Sequence, residues 1–539
     1  MKGSCGDEAC EKVVVPCCDL AFEAEGILAW RPSGEIDGHV FEWGEVGWGV
    51  NAFVTPLFHP IALPSTLACL FGTAPSGYSS AGVGEEEHGM SDYGTVADLS
   101  GQLLRRIARG QALVGIVGLG YVGLPLALAA AGAGFPVLGF DIDAERVAQF
   151  NRGESFISHI PTAALNAAAQ AGRFEATTDF ARAGEPDAIL ICVPTPLTRQ
   201  REPDMTYIER TARAIAPRLR RGQLVVLEST TWPGTTEEVV KPILEGAGLR
   251  SGTDIFLAYS PEREDPGNGQ YGTSTIPKVV GGDGEVAARV AEALYGRLVV
   301  RTVPVSSTRT AEAVKLTENI FRSVNIALVN ELKLIYDAMG IDVWEVIEAA
   351  RTKPFGFMPF YPGPGLGGHC VPIDPFYLTW KAREYGQPTR FVELAGEINT
   401  AMPAHIVDRL ALALDRQRGR GLNGARILVV GVAYKKNIED TRESPSLRLM
   451  DLLEARGAEV DYHDPHVPRI PVTRDHAGLA GRLSQALDPA ALGRYDAVLI
   501  ATDHDGIDYP ALAEASRLVI DTRNALGHAG VAGPHIVKA

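Results

Sequence analysis

Cys370 is the residue of this chain best placed by its neighbours to do covalent chemistry. It stands in Pro362-Gly-Pro-Gly-Leu-Gly-Gly-His-Cys-Val-Pro-Ile-Asp374-Pro, a loop that packs glycines around a thiol. Glycines remove side-chain bulk and let backbone N–H groups point at an anionic centre, which suits a thiolate or the oxyanion of a thiohemiacetal. A solitary cysteine can equally be a small buried hydrophobe. His369 reads as a loop or substrate contact rather than as the base. Lys315 and Asn319 lie four residues apart in a helical segment, so they share one face about one turn apart. A lysine and an amide in register could stabilise a developing alkoxide, the alternative being a solvated helix face. Glu262, in Ser260-Pro-Glu262, and Thr195, in Val193-Pro-Thr-Pro196, each follow a strand-like run. Ligand-facing residues of doubly wound sheets collect at such strand ends.

The second chemical signature is Gly118-Leu-Gly120-Tyr121-Val122-Gly123, which fits GxGxxG. It follows a strand-like run, opens a helix and precedes a second run that ends at Asp141. Gly118 permits the tight turn, Gly120 lets a pyrophosphate approach the backbone, and Gly123 lets helix and strand pack closely. Asp141 would accept hydrogen bonds from ribose hydroxyls and repel a 2′-phosphate, so NAD is the expected cofactor. Beside NAD, a thiol can trap an aldehyde while a second hydride leaves.

These residues need a scaffold, and the pattern supplies one. Strand-like runs at 113–118, 136–141, 188–193, 223–228, 255–259 and 298–303 alternate with helical ones, which argues for a mostly parallel sheet covered on both faces. Thr308–Met339 is free of Pro and Gly and reads as a long helix packed on both sides. Residues 340–415 are helical apart from a Pro/Gly-rich loop at 354–375. Runs at 426–431, 458–462, 497–501 and 517–520 restart the alternation. The expected fold is α/β: two Rossmann-like doubly wound domains joined by a long central helix and a helical spacer. The boundaries are 1–109 for an N-terminal extension with little stable packing, 110–305 for the NAD-binding domain, 306–415 for a central helical domain with the thiol loop, and 416–539 for the second Rossmann-like domain. Met90 is a candidate true start.

Composition bounds the function. The 539 residues are 46% hydrophobic and 22% charged, the balance of a globular protein. The net charge is −16, but the first hundred residues hold 15 acids against three bases, so the body is near neutral. It offers no broad basic surface, and nucleic acid is not an expected partner. Five of seven cysteines fall in the first hundred residues, without a CxxC pair, so neither a disulfide scaffold nor a metal site is expected and the body reads as cytoplasmic. Residues 112–140 carry no charge. Their internal glycines break them into a buried β-turn-α-β unit rather than a membrane span, and no membrane partner is expected.

GLGYVGLPLA, VPTP, SPEREDPG, EAVKLTEN, PGPGLGGHCVPIDP and AYKKNIEDTRES, in this order over about residues 112–530, make the chain resemble the UDP-glucose/GDP-mannose dehydrogenase family. SPEREDPGN and FYPGPGLGGHC are most similar to its branch acting on UDP-N-acetylglucosamine. The resemblance implies NAD-dependent, four-electron oxidation of the sugar C6 alcohol to a carboxylate, serving polysaccharide synthesis. By motif, Cys370 would be the nucleophile, passing through a thiohemiacetal and a thioester. Lys315 and Asn319 would stabilise the oxyanion, or Lys315 would act as a base if burial lowered its pKa. Asp374, with Thr195 and Glu262, would position or activate water. Tyr361, Gly365, Gly367 and Gly368, with Glu262, Lys315 and Asn319, fall where the family holds substrate. Lys435 and Arg442 fall where it contacts phosphates or the dinucleotide, alongside Tyr121, Val122 and Thr195. The family pattern also implies a homodimer, or a larger homo-oligomer, built on the long helix. UDP-N-acetylmannosamine and UDP-glucose are the alternative substrates. A one-step hydroxyacid dehydrogenase and a non-catalytic NAD-sensing protein are the alternatives of other classes.

Overall fold

Five four-residue apolar runs build the middle of the first sheet. The computed structural model describes residues 95–539 apart from 156, 158, 159, 199 and 265–270. Its strands are Val114–Val117 (β1), Val137–Phe140 (β2), Phe174–Thr177 (β3), Ala188–Ile191 (β4), Leu224–Leu227 (β5), Phe256–Tyr259 (β6), Lys278–Gly282 (β7) and Thr302–Val305 (β8). Every residue of β1, β2, β4, β5 and β6 is buried, as expected of a parallel sheet covered by helices on both faces. The order is β3-β2-β1-β4-β5-β6-β7-β8, and β7 alone runs antiparallel to its neighbour β6. Because β1 lies between β2 and β4, the chain reverses direction across the sheet at β1. Ligands of such folds bind outside the strand ends at this switch point, where Gly118–Gly123 lies.

A second, wholly parallel sheet comprises Arg426–Val430 (β9), Glu459–His463 (β10), Ala497–Ile500 (β11), Val519–Asp521 (β12) and Ile536–Lys538 (β13), in the order β10-β9-β11-β12-β13. It repeats the central βα turn of the first. Gly431 follows β9 with φ +86°, as Gly118 follows β1 with φ +90°. In each sheet an aspartate at the end of the neighbouring strand accepts from the turn's N–H groups, Asp141 from Leu119 and Asp464 from Val432 and Ala433. The ladder thus positions two equivalent turns.

The long helix Thr308–Met339 links the two units. Ser307 caps its start by accepting from the Thr310 N–H, and Gly340 ends it in the left-handed conformation. Helix Arg390–Arg418 lies against it through buried amides. Asn330 donates to Asn399 at 2.9 Å, and Asn399 donates to the Ser323 carbonyl at 3.1 Å. No helix among the described residues is long and apolar enough to cross a membrane, and the uncharged 112–140 segment is strand, turn, helix and strand.

Three features differ from the pattern reading. Residues 298–303 are not one strand: helix Glu285–Leu298 runs into them and the strand begins at Thr302. The strands β3 and β7 carry no clear apolar signature of their own. Within the segment expected to pack little, Val96–Ala108 is a helix. A Thr95/Asp98 capping box opens it, and Leu103 and Ile107 are buried in the first core. Met90 and the N-terminal cysteines lie outside the described residues. Ile107→Ala is expected to cost about 2–4 kcal/mol, seen as a lower midpoint in urea. The exposed Arg109→Ala is expected to stay within about 0.5 kcal/mol, and equal midpoints for the two variants would refute the docking of this helix.

Candidate active site

The thiol loop turns directly into a helix. The Cys370 carbonyl accepts from the N–H groups of Ile373 and Asp374, at 3.1 and 2.8 Å, and Asp374 is the first residue of helix Asp374–Ala382. The Asp374 carboxyl is only 2% exposed and accepts from the Asn319 amide at 2.6 Å. One turn earlier on the same face of the long helix, the Lys315 ammonium donates to the Glu262 carbonyl. The spacing seen in the sequence therefore places Lys315 and Asn319 at the thiol loop rather than in solvent.

Burial and neighbouring charges set the protonation of this cluster. Burial, reinforced by the Asp374 charge, pushes the Cys370 thiol up to about 11, although Lys315 and Arg442 pull the other way. Burial raises Asp374 to about 7 against the opposing effects of Lys315 and the Asn319 hydrogen bond. Burial, then the Arg442 charge, lowers His369 to about 4. At neutral pH the thiol is protonated, the imidazole is neutral, and the carboxyl is poised to give or take a proton.

The glycines of the loop let its backbone dock on the second α/β unit. A Cβ at Gly367 would sit 2.5 Å from the Tyr434 Cβ. One at Gly368, where φ is +83°, would sit 2.8 Å from the Tyr434 ring. The Gly368 N–H donates to the Arg442 carbonyl at 3.0 Å, and the Gly363 N–H donates to Asn330 at 3.0 Å. Gly365 packs on Asn399 and Pro445. Half-buried Lys435 follows Tyr434 in the turn after β9. Tyr361 is 38% exposed and donates its hydroxyl to Glu348 at 2.6 Å.

At the first switch point the sterics suit a dinucleotide. A Cβ at Gly123 would fall 1.9 Å from the Gly118 carbonyl oxygen, so the helix can approach the strand only with glycine there. A Cβ at Gly120 would meet nothing within 4 Å, which leaves an open backbone face where phosphate could sit. Val122 precedes the first turn of helix Gly123–Gly132. Asp141 accepts from the Leu119 and Asp143 N–H groups, at 2.9 and 3.0 Å, and a carboxylate keeps lone pairs beyond those two. From the second unit, the Arg442 guanidinium lies 4.5 Å from the centre of the Tyr121 ring while paired with Asp440. Arg442 thus touches the dinucleotide turn with its side chain and the thiol loop with its backbone. Buried Thr195 accepts from the Tyr377 hydroxyl through its carbonyl, at 2.7 Å, which ties the end of β4 to the helix of Asp374. These residues fit NAD.

Sequence reasoning passed over several groups here. Lys278 and Glu228 form a buried ion pair at 2.5 Å, Tyr295 donates to the same carboxylate, and the ammonium lies 4.0 Å from the Glu262 carboxylate. The hydroxyls of Thr231 and Tyr259 are buried without a partner. Glu228 immediately follows β5 and Tyr259 ends β6, so the strand-end rule that singled out Glu262 would have found both.

Three consecutive family models match the chain, all of the UDP-glucose/GDP-mannose dehydrogenase family: the NAD binding domain at residues 112–299, the central domain at 309–401 and the UDP binding domain at 428–528. The chain belongs to this family. As a UDP-glucose/GDP-mannose dehydrogenase family member it is an oxidoreductase that acts on a CH–OH group of a nucleotide sugar with NAD as acceptor. It is 36% identical over 393 residues to UDP-N-acetyl-D-glucosamine 6-dehydrogenase of Pseudomonas aeruginosa, covering 72% of this chain and 90% of that one. It is 36% identical over 423 residues to UDP-N-acetyl-D-mannosamine dehydrogenase of Pyrococcus horikoshii, covering 77% and 96%. The solved UDP-D-ManNAc dehydrogenase of Pyrococcus horikoshii superposes with a TM-score of 0.70 at 35% identity, over 78% of this chain and 96% of that one.

If ionised Asp374 is the base, turnover at saturating substrate should rise with pH through about 7. Asn319→Leu removes a donor to the carboxylate and should move this limb up by about one unit, the equivalent of ~1.4 kcal/mol. A limb that stays in place in a pH series of kcat would sever Asp374 from the rate.

Proposed function

We propose that the protein oxidises the C6 alcohol of a UDP-sugar to the uronic acid in two NAD-dependent steps on Cys370, with UDP-N-acetylglucosamine as preferred substrate. The observation that carries this reading is the buried Asn319–Asp374 hydrogen bond beside a glycine-flanked thiol, with Lys315 one turn away. Bound NAD supplies the acceptor for both hydrides. Lys315 and Asn319 donate to the C6 oxygen as negative charge builds on it, and in each oxidation the O–H proton passes to water as the hydride leaves. The Cys370 sulfur adds to the aldehyde carbon and its proton goes to the aldehyde oxygen, which forms a thiohemiacetal without a free thiolate at rest. Once this has been oxidised to the thioester, Asp374 takes a proton from water. The resulting hydroxide attacks the carbonyl, the C–S bond breaks, and the sulfur recovers a proton. Glu262 and Thr195 position the water, Asp141 the ribose and Arg442 the dinucleotide, while Tyr361, Gly365, Gly367, Gly368 and Lys435 hold the nucleotide sugar.

Relatives named for 2-acetamido sugars support that substrate class, and the loop wording favours the glucosamine epimer. We assign the product to polysaccharide synthesis in the cytoplasm. With purified protein and a UDP-sugar panel, two NADH per sugar are expected, with the highest kcat/KM for UDP-N-acetylglucosamine. Cys370→Ala should lower turnover by about a thousandfold or more. One NADH per sugar, or turnover that survives in Cys370→Ala, would point to a one-step dehydrogenase. No NADH from any UDP-sugar would leave only an NAD-binding protein.

The protein is proposed to work as a homodimer. Phe321, Leu328, Ile335 and Met339 are 49, 49, 47 and 63% exposed at a spacing that puts them on one stripe of the long helix. Leu328→Glu with Ile335→Glu should halve the mass seen by light scattering, and an unchanged mass would place the interface elsewhere.

A further inference from the structure

Beside the thiol loop the two α/β units border an open cavity of about 620 Å³, within the usual size range of small-molecule sites. Its wall includes the far side of the loop, at Leu366, Val371 and Pro372. It includes none of Cys370, Lys315, Asn319, Asp374 or Glu262, and no residue of the Gly118–Gly123 turn. At Gly365 the wall also meets a residue assigned to the nucleotide sugar, so an occupant would press on the loop that carries the thiol from beside the catalytic cleft.

Three guanidinium groups from separate segments line this cavity: Arg201 beyond β4, Arg448 in helix Pro445–Ala455, and Arg474 beyond β10. Arg448 is exposed and makes no hydrogen bond or ion pair with any described residue. It lies in the opening turns of its helix, where the positive end of the macrodipole disfavours a cation. In the same stretch the Ser446 hydroxyl is buried without a partner. Of these two groups only Arg448 lines the cavity, where an anionic occupant would give it the partner it lacks. Arg474 already bridges the units by donating to the Leu197 carbonyl at 2.7 Å. Arg201 holds φ +60°, and its guanidinium lies 4.8 Å from the ring centre of Phe376, two residues beyond Asp374. The wall also carries Glu443 and Asp475. Burial, then the Asp475 charge, raises the Glu443 pKa.

We propose that this cavity is an effector site for a phosphorylated metabolite of nucleotide size. Its phosphates engage Arg448, Arg474, Arg201 and the N-terminus of helix Pro445–Ala455, and its organic part lies on Leu197, Pro372 and Pro445. Because the occupant touches both α/β units and the back of the thiol loop, its binding is coupled to the arrangement of the cleft, and the coupling is reciprocal.

The full-length protein, saturated with UDP and NADH to fill the cleft, is titrated with inorganic pyrophosphate and, separately, with ADP by calorimetry. One further site per chain is expected for at least one probe. Tighter ADP assigns a nucleotide and tighter pyrophosphate an inorganic polyphosphate. Arg448→Ala should weaken that site about tenfold or more, with KM for NAD and UDP-sugar and the thermal midpoint unchanged. The tighter probe should alter turnover at saturating substrates in the wild type and not in Arg448→Ala. The proposal is overturned if neither probe binds once the cleft is filled, if Arg448→Ala with Arg474→Ala binds as tightly as wild type, or if wild-type turnover is unmoved.

Discussion

The proposed chemistry depends on a hydrogen bond of 2.6 Å between two buried side chains, the Asn319 amide and the Asp374 carboxyl. One partner belongs to the long helix that spans the two α/β units, the other to the first turn of the helix that the thiol loop feeds. A carboxyl in that environment cannot ionise freely, because burial disfavours its charge. It cannot be abandoned to a protonated state either, since Asn319 and Lys315 both favour the charged form. The balance puts Asp374 near neutrality, the range a proton-transfer group needs. Burial, together with the same charge, holds the thiol above that range, at about 11. In the proposed reaction, a sulfur that rests protonated adds to a carbonyl as S–H, handing over its own proton.

The site belongs to neither α/β unit alone. The first sheet delivers a turn with an open backbone face at Gly120 and a strand-end carboxylate at Glu262. The second delivers Tyr434, whose ring fills the space that side chains at Gly367 and Gly368 would occupy, and Arg442. Arg442 is the most economical link between them, with its guanidinium on Tyr121 and its carbonyl on Gly368. Moving one unit relative to the other would displace the dinucleotide turn and the thiol loop together, so cofactor binding and thiol placement share one interface. The buried Lys278 ammonium, paired with Glu228, also stands 4.0 Å from the Glu262 carboxylate. Removing one partner of such a pair is far more damaging than its net contribution to folding suggests.

Much of this was readable in the residues. The long helix was legible to its ends because a 32-residue run without Pro or Gly lies between a serine cap and Gly340. The strands β1, β2, β4, β5 and β6 declared themselves as wholly apolar runs. The strands β3 and β7 did not. Phe174–Thr177 is a half-exposed edge strand, and Lys278–Gly282 begins with a buried lysine and ends in two glycines. In the site, the four-residue spacing of Lys315 and Asn319 gave their shared face, but nothing in it names Asp374 as their partner 55 residues on. Arg442 reached the cofactor site through family resemblance alone, since 321 residues separate it from Tyr121. The Glu228–Lys278 pair is set by sheet order, in which β5 and β7 both flank β6, and no local pattern encodes it.

The account stands on Cys370 carrying the sugar carbon between the two oxidations. Acid-quenched mass spectrometry of Asp374→Asn, mixed with NAD and a UDP-sugar that the wild type turns over, addresses this directly. Water activation is then slowed, and the account predicts a uronyl adduct on the peptide containing Cys370. An adduct on another residue, or full conversion of sugar to uronate by Cys370→Ala, would contradict it.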